Sequence, residues 1–519
     1  MVRKASWRFA LVAAVATATA LTACSSSNSK TPEPLGTGDA KSGGTLVVGE
    51  YSGVNSLDPM MNTGSVTIGG NETLAIYGTL IRWDSKKLEG VPYMAKSLEH
   101  NADHTQWTLQ LRPGMVFSDG SPYDAAAVVM NLDRNRKSFF SIANSLSKIE
   151  SVKATDDLTV VITMKKPDAQ FPYVLSIGPG MIASPKYIKT VDGGNKTAPA
   201  VGAGPFVVSD FKPGSSLTLK PNPTYALDKP LLSTLTFQMA GTEKAQLQAF
   251  EAGQLQAGIT LDSHSDIEIK QKKIPTIATR QTSGVALQLN NRKTSPLGDV
   301  RLRKAVQLAF NPKVWNERNN AGEEVASDLL FMKGSLFHSE DQQKIPYDPQ
   351  QAKQLVDQVK ADTGWNGELD WVGPSTQTNQ PVILSSMLNP IGITLKVTNL
   401  PVANFYTKVY VEHDYDIAGG GGAIADSTPA GSIHNNYVTP TNSLGYSNPE
   451  MVKISDEMAA AATLEERRVV MKKFLALYIE TVPSISCGTT TWNFFHKPNV
   501  QGLQQVGGQM IQFDKAWMS

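Results

Sequence analysis

The sequence predicts a layered α/β or α+β fold, and three observations support this. Short runs of β-branched and apolar residues, bounded by glycine or proline, are typical of strands. Longer segments repeat their apolar residues at helical spacing. No repeat of fixed period is present, and a chain of 519 residues is long enough for two or three hydrophobic cores. Strands and helices mix through residues 45–285 without a strict alternation, so the pattern alone leaves both layered classes open.

The strands are predicted from apolar runs next to turn signals. The run TLVV lies between glycines, WTLQL alternates apolar and polar residues and is followed by Arg-Pro-Gly, and LTVVITM is a buried type of strand. These predicted strands span residues 45–48, 107–111 and 158–164.

The helices are predicted from apolar spacing and end signals. Asp124 and Asp348 are good N-cap residues, Pro349 suits a first helical position, and Pro483 ends the last helix. The predicted helices span residues 125–132, 299–310, 349–359 and 464–479.

The N-terminus has the features of an export signal. Arg3, Lys4 and Arg8 precede an uncharged run over residues 9–21, which is too short to span a bilayer as a stable helix. The following Leu-Thr-Ala-Cys resembles the bacterial lipobox, which implies that residues 1–23 are a signal peptide and that the thiol of Cys24 carries lipid. The alternative is an ordinary signal peptide with an incidental cysteine.

Composition limits what the exported chain can do. Residues 24–42, after the signal peptide, are rich in Ser, Pro, Gly and charge, which predicts a flexible tether. Removing the signal peptide takes away three of the 48 basic residues and none of the 47 acidic ones, so nucleic acid is not an expected partner. With Cys24 lipidated, Cys487 would be the only other cysteine and no intrachain disulfide could form.

Several segments carry a family resemblance. They occur in order as GGTLVVG with SLDP, LRPGMVFSDGSPYDA, GAGPFVVSDFKPGSSLTLKPNPTY, LQLNNRKTSPLGDVRLRKAVQLAF, YDPQQAKQLV, IGITLKV, HDYDIA and KPNVQG. Their order and spacing resemble the extracellular solute-binding proteins of the peptide/nickel class, the receptors of ABC importers. The resemblance covers roughly residues 43–505.

The resemblance implies an α/β fold of two lobes joined by a hinge, in the manner of periplasmic binding proteins. The first lobe would comprise residues 43–286 and 484–519, and the second residues 287–483, so one lobe is discontinuous. The crossovers would lie near residues 289–291 and 483–486. The ligand would be a peptide or a related small solute, and closure around it would be recognised by a permease. The sequence has no G-x-x-x-x-G-K-[ST] motif, so ATP hydrolysis would belong to partner subunits. A lipid-anchored, extracytoplasmic monomer without a cofactor is expected.

One predicted ligand segment is GGGGAIADSTP, residues 419–429. Resemblance places Asp426 where oligopeptide receptors hold an α-amino group, and Ala423 at the position of a tryptophan. The alternative for Asp426 is a helix cap. The glycine run, which includes Gly420, would widen the cleft and expose backbone groups, or would be a mobile loop.

Further candidate ligand residues come from three other segments. Trp371 would stack on a ligand or fill the core, and Trp492 and Phe494 would share one strand face by period two. Phe494 lies near a position that is basic in some peptide receptors. The remaining candidates follow SLDP and are Thr63, Gly64 and Ser65. This wall lacks paired charges, which favours a less charged solute such as a modified or hydrophobic peptide, a sugar or another metabolite.

Other classes of protein are less well supported. Residues 145–148 spell S-x-x-K, but the partner motifs of penicillin-binding enzymes are absent, and no G-x-S-x-G occurs, so no enzymatic activity is expected. His100 and His104 have metal-ligand spacing without a carboxylate motif. His413 and His434 flank the glycine run, so capture of nickel or another metal is a weaker alternative. A purely adhesive lipoprotein is another weaker alternative.

Overall fold

The computed structural model describes residues 40–519 except 51–52, 62–63, 67–68, 86, 139, 141, 262, 282–285 and 376, and the described part of the chain belongs to one compact unit. The signal peptide, Cys24 and most of the predicted tether therefore lie outside the described residues. No helix in the described part has the length and apolar character needed to span a bilayer.

The strands are short and alternate irregularly with helices along the chain. They are β1 (Thr45–Glu50), β2 (Ile81–Asp84), β3 (Glu89–Pro92), β4 (Ala95–His100), β5 (Gln106–Leu111), β6 (Ile149–Ala154), β7 (Thr159–Met164), β8 (Phe206–Lys212), β9 (Ser216–Pro221), β10 (Thr234–Met239), β11 (Ala257–Thr260), β12 (Thr276–Gln281), β13 (Ala286–Leu289), β14 (Glu368–Pro374), β15 (Thr394–Leu400), β16 (Ile417–Gly421), β17 (Ser484–Ser486), β18 (Thr490–His496), β19 (Val500–Gln501), β20 (Gln504–Gln505), β21 (Ile511–Gln512) and β22 (Trp517–Met518).

The helices are concentrated in the second half of the chain. They are α1 (Gly70–Tyr77), α2 (Ala125–Arg136), α3 (Ile142–Ser145), α4 (Phe171–Val174), α5 (Pro185–Asp192), α6 (Glu243–Glu251), α7 (Ser263–Gln271), α8 (Val300–Ala309), α9 (Pro312–Asn319), α10 (Pro349–Thr363), α11 (Asn379–Leu388), α12 (Val402–Tyr406), α13 (Pro429–Ile433), α14 (Pro449–Ala460) and α15 (Leu464–Thr481). π-helical turns over residues 407–411 and 434–438 follow α12 and α13 directly.

The strands and helices predicted from the sequence are confirmed. Their signals depend on residues within one turn or strand, which is why they could be recognised. The Asp124 carboxylate accepts a hydrogen bond from Ala127 N at the start of α2. Asp348 caps α10 through two backbone amides, with Pro349 in the first turn. Helix α15 begins with a capping box between Thr463 and Glu466, which satisfies backbone amides at both positions.

Two larger sheets define two lobes. The first lobe contains a mixed seven-stranded sheet in the order β12-β18-β11-β1-β10-β9-β8, together with an antiparallel sheet in the order β4-β5-β7-β6. The second lobe contains a five-stranded sheet in the order β15-β14-β16-β13-β17 and helices α8 to α15. Separate hydrophobic clusters pack on each of these sheets, and a further cluster forms among α13, α14 and α15. The two-lobed α/β fold expected from the resemblance is thus observed.

The chain passes between the lobes along two neighbouring antiparallel strand pairs. It leaves the seven-stranded sheet after β12, enters the five-stranded sheet at β13, and returns between β17 and β18. The pairs β12–β18 and β13–β17 are each in register, so both connections lie side by side. The expected boundary at 286/287 falls inside β13 and the one at 483/484 falls at the start of β17, and both strands belong to the five-stranded sheet. The chain therefore changes sheet between the end of β12 at Gln281 and the start of β13 at Ala286, and changes back over residues 487–489.

A second contact between the lobes lies away from these connections. In the loop over residues 166–170, which we call the contact loop, Gln170 Nε2 donates to Met458 O at 2.7 Å, and Gln170 Oε1 accepts from Ala430 N at 3.3 Å. Ala169 N donates to Ala459 O at 2.9 Å. Gln170 is buried. The lobes therefore also touch directly at the contact loop.

Candidate solute-binding site

A cavity of about 330 Å³ lies at the glycine run, where β13, β16 and β17 meet the loops that follow α13. Its walls come from the second lobe except for Asn144, which belongs to α3 of the first lobe. The lining residues are Asn144, Ala286, Gln288, Tyr410, Gly420, Gly421, Gly422, Asn435, Asn436, Tyr437, Thr439, Thr441, Asn442, Ser443, Leu444 and Ser484.

The contribution from the first lobe distinguishes this cavity from two larger ones. Cavities of about 510 Å³ and 560 Å³ are lined by second-lobe residues only. A solute in either of them would touch one lobe and would not favour closure, because a ligand shifts an equilibrium only through its differential affinity for the two states. The 330 Å³ cavity is therefore the candidate site of a receptor that works by closure.

The glycine run shapes the cavity through its backbone. The register of β13 against β16 shifts between Ala286 and Gln288, and Gly420 takes a φ of +72° there, with open space where a Cβ would stand. A Cβ on Gly421 would come within 2.5 Å of Ala286 O, and one on Gly422 within 2.4 Å of Asn436 Oδ1. The run thus leaves room at Gly420 and permits close packing at its two successors.

Gln288 organises the polar side of the cavity. Although it is buried, its Nε2 donates to Tyr410 Oη at 3.0 Å and to Gly420 O at 3.3 Å, and its Oε1 accepts from Ser443 Oγ. Tyr410 Oη in turn donates to Gly420 O at 2.8 Å. A satisfied network of this kind holds its members in one arrangement.

The opposite wall is a short stretch rich in amides. The turn after α13 presents Asn435 and Asn436, and Asn436 Nδ2 donates to Ala423 O at 3.3 Å. Tyr437 is buried behind them, with its hydroxyl 3.3 Å from Ser484 Oγ. The wall therefore offers amide and hydroxyl groups rather than ions.

The cavity carries no formal charge on its surface. Among the described residues that line it, none is acidic, basic or a histidine. Burial raises the pKa of Tyr410 and that of Tyr437 to about 12, so both phenols stay protonated at neutral pH. Arg292 lies behind the wall, where it donates to Ser443 O at 2.7 Å and to Asn442 O at 3.0 Å.

The structure brings Gly420 into the cavity, with Ala423 next to it through Asn436. Asp426 lies farther along the same segment, where its carboxylate accepts hydrogen bonds from Ser335 Oγ and Leu336 N, both at 2.8 Å. Helix α13 begins at Pro429, and the side chain of its N-cap residue Thr428 makes no capping hydrogen bond. Whether Asp426 binds an amine stays a prediction.

The other candidates lie away from this cavity, except Thr63, which is not among the described residues. Trp371 is fully buried in the core of the second lobe, in line with its core alternative. Trp492 and Phe494 do share a strand face, and that face packs on the core of the first lobe. Gly64 packs against the backbone of residue 178, and Ser65 O accepts from residue 70 N.

Sequence reasoning missed most of the lining residues. Gln288 is a polar residue inside the apolar run ALQL, and a buried amide in a strand is a signal that could have been used. The stretch HNNYVTPTNS is dense in amides and hydroxyls, which also marks the site. Nothing near Asn144 in the sequence indicates that α3 reaches the second lobe.

In the described part of the chain, neither the pair His100 and His104 nor Cys487 forms a reactive or metal-binding centre. The rings of His100 and His104 are 4.1 Å apart across the turn between β4 and β5, beside Trp107. Cys487 is buried, and burial raises the pKa of its thiol, so it is an unreactive apolar side chain at neutral pH. Within the described ranges, no three His, Cys, Asp or Glu side chains are arranged to hold a metal ion.

A two-lobed fold with a cavity lined from both lobes suits a solute-binding receptor, and comparison of the sequence with protein families identifies which family this is. Residues 89–444 match the family described as "Bacterial extracellular solute-binding proteins, family 5 Middle", and the chain belongs to this family. It is thus an extracytoplasmic receptor of an ABC importer and not an enzyme.

Individual relatives differ in what they bind. The chain is 27% identical over 389 residues to the probable D,D-dipeptide-binding periplasmic protein DdpA of Escherichia coli (strain K12), covering 72% of this chain and 74% of that protein. It is 24% identical over 494 residues to the probable di/tripeptide-binding protein 5 of Pseudomonas aeruginosa (strain UCBPP-PA14), covering 85% and 89%. Among solved structures, AgaA from A. tumefaciens R10 in complex with agropinic acid superposes with a TM-score of 0.78 at 22% identity, covering 92% and 99%.

Proposed function

We propose that this receptor captures an electrically neutral, hydrogen-bonding solute in the 330 Å³ cavity and delivers it to its permease. The observation that carries the proposal is the uncharged lining of amide and hydroxyl side chains around Gln288. A buried ion without a partner costs several kcal/mol, roughly, whereas a neutral polar solute can exchange its hydrogen bonds with water for bonds to these groups. Relatives that bind dipeptides or agropinic acid make a modified peptide or another small metabolite reasonable candidates.

Closure follows from the same geometry. A solute held by Gln288 and Asn436 on the second lobe would reach Asn144 on the first lobe, so contacts to both lobes would favour the closed form. We place the hinge at the two changes of sheet, between β12 and β13 and between β17 and β18, close to the lobe boundaries expected at 286/287 and 483/484. The receptor would act as a monomer, because one chain supplies both walls.

The test compares three probe sets by calorimetry on soluble protein comprising residues 40–519. The sets are N-acetylated, C-amidated dipeptides, the same dipeptides with free termini, and neutral disaccharides. Binding of a neutral set, weakened about tenfold by Asn436→Ala and unaffected by the exposed control Asn366→Ala, supports the proposal. Exclusive binding of the free dipeptides, abolished by Asp426→Ala, would instead support the amine site expected from the resemblance.

Anchoring through Cys24 is a separate part of the proposal. The lipobox places the cysteine directly after the export signal, and two acyl chains would hold the receptor at the membrane surface. Detergent phase partition of the protein expressed in a bacterial host tests this. The natural protein is expected in the detergent phase and Cys24→Ser in the aqueous phase, whereas recovery of both in the aqueous phase would exclude the anchor.

A further inference from the structure

Two tyrosines form an exposed stacked pair at the edge of the candidate site. The rings of Tyr406 and Tyr410 have centroids 5.3 Å apart and planes 28° apart. Tyr406 is 55% exposed and Tyr410 37% exposed. They are four residues apart where α12 runs into its π-helical turn, which puts them on one face of the helix.

The pair is held in a fixed orientation. Phe405 is buried, and its ring meets Tyr406 and Tyr410 edge-on, at centroid distances of 5.5 and 6.3 Å. The hydroxyl of Tyr410 is bound to Gly420 O and Gln288 Nε2, so this ring is fixed to the cavity wall. The outer ring, that of Tyr406, therefore packs on a fixed ring and presents an exposed aromatic face next to the cavity, where a bound solute can contact it.

The cavity complements this aromatic surface with groups that both donate and accept. Side-chain amides and hydroxyls line it, and no formal charge is found among its described lining residues. A pyranose ring has the matching chemistry, because its C–H face is apolar and its rim carries hydroxyl groups. Tyrosine supplies a large apolar surface with few rotatable bonds, which lowers the entropy lost when a ring packs against it.

We propose that the solute is a neutral carbohydrate, with one sugar ring packed on the exposed face of Tyr406 and its hydroxyls bonded to the amides around Gln288. This assignment rests on the proposed function, since it identifies the class of neutral solute. It explains why an exposed aromatic pair lies at the edge of an uncharged cavity.

The experiment measures binding of defined neutral saccharides to residues 40–519. The probes are maltose, cellobiose, xylobiose, chitobiose and lactose with their trisaccharides, screened by thermal shift and then by calorimetry. We expect at least one series to bind. Tyr406→Ala should weaken that binding about tenfold, and Tyr406→Phe should retain it, because the ring face carries the contact.

Tyr347→Ala is the matched control, since Tyr347 is a similarly exposed tyrosine of the second lobe that does not line the cavity. It should leave saccharide binding unchanged, and circular dichroism checks that each variant is folded. Saccharide binding that is indifferent to Tyr406→Ala would overturn the stacking assignment.

Two outcomes separate this inference from the proposed function. Binding of blocked dipeptides but of no saccharide overturns the carbohydrate assignment and leaves the neutral-solute proposal standing. Binding of free dipeptides alone overturns both. Absence of saccharide binding at 10 mM, a concentration on the order of ten times a millimolar Kd, also counts against the carbohydrate assignment.

Discussion

A buried pair of acidic side chains in the first lobe should make its stability depend on pH. Glu50, at the end of β1, and Glu72, in the first turn of α1, are 4% and 2% exposed and line the same small cavity, whose other walls include Phe211 and Phe237. Asn71 Nδ2 donates to Glu50 Oε1 at 3.4 Å. Burial raises the pKa of Glu72 from 4.5 to about 7, and burial together with the charge of Glu72 raises the pKa of Glu50.

The direction in which the free energy of unfolding changes with pH follows from proton linkage. Because the pKa of Glu72 is raised on folding, the folded protein holds this proton more tightly than the unfolded chain does. The free energy of unfolding is therefore fully retained below about pH 4.5 and falls as the pH rises to about 7. At about 1.4 kcal/mol for each pH unit, the loss amounts to about 3 kcal/mol at neutral pH.

The perturbation is Glu72→Gln, which keeps the shape and removes the titration. We expect its free energy of unfolding in urea to exceed that of the natural protein by up to about 3 kcal/mol at pH 8, and the difference to shrink towards pH 5. Tryptophan fluorescence reports the transition. Glu99→Gln, an exposed position on β4, is the control and should show no such difference. Parallel pH profiles for Glu72→Gln and the natural protein would refute the reasoning.

Three other changes test the contacts described above. Gln170→Ala removes two hydrogen bonds between the lobes, so the solute-free protein should open and its radius of gyration in X-ray scattering should rise; an unchanged radius would mean that the contact loop does not hold closure. Gly422→Ala puts a Cβ within 2.4 Å of Asn436 Oδ1, so this wall residue must move. Calorimetry should then show solute binding at least about tenfold weaker, and an affinity equal to that of the natural protein would contradict the proposed wall. Cys487 should react with a thiol reagent only after unfolding, because it is buried and its pKa is raised; rapid labelling of the native protein would contradict this.

The sequence predicted most reliably what depends on neighbouring residues. Helices α2 and α10 start where Asp124 and Asp348 indicate, because a cap is formed within one turn of its own residue. The glycine run was expected either to widen the cleft or to form a mobile loop. The close approach of Asn436 to Gly422 depends on a loop fourteen residues away and could not be derived from the run itself.

Side-chain orientation on strands was harder to predict. Period two placed Trp492 and Phe494 on one face, as observed, but alternation does not say whether that face meets a core or a ligand, and here it meets the core. The same ambiguity applied to Trp371. Gln288 was missed for the converse reason, because a buried amide in an apolar strand is recognised only when its partners Tyr410 and Ser443 are known.

The strand order of the first lobe bears on how the protein is made and exported. Strand β18 lies between β11 and β12, yet it is encoded after the whole second lobe. Until residues 490–496 have been synthesised, β11 and β12 lack their shared neighbour and the largest sheet of the molecule cannot be completed. Pairings between distant segments form late, because their loop entropy must be offset by contacts that do not yet exist. A nascent chain with this connectivity stays incompletely folded until near its end, which is the state that a translocation channel for unfolded polypeptides accepts.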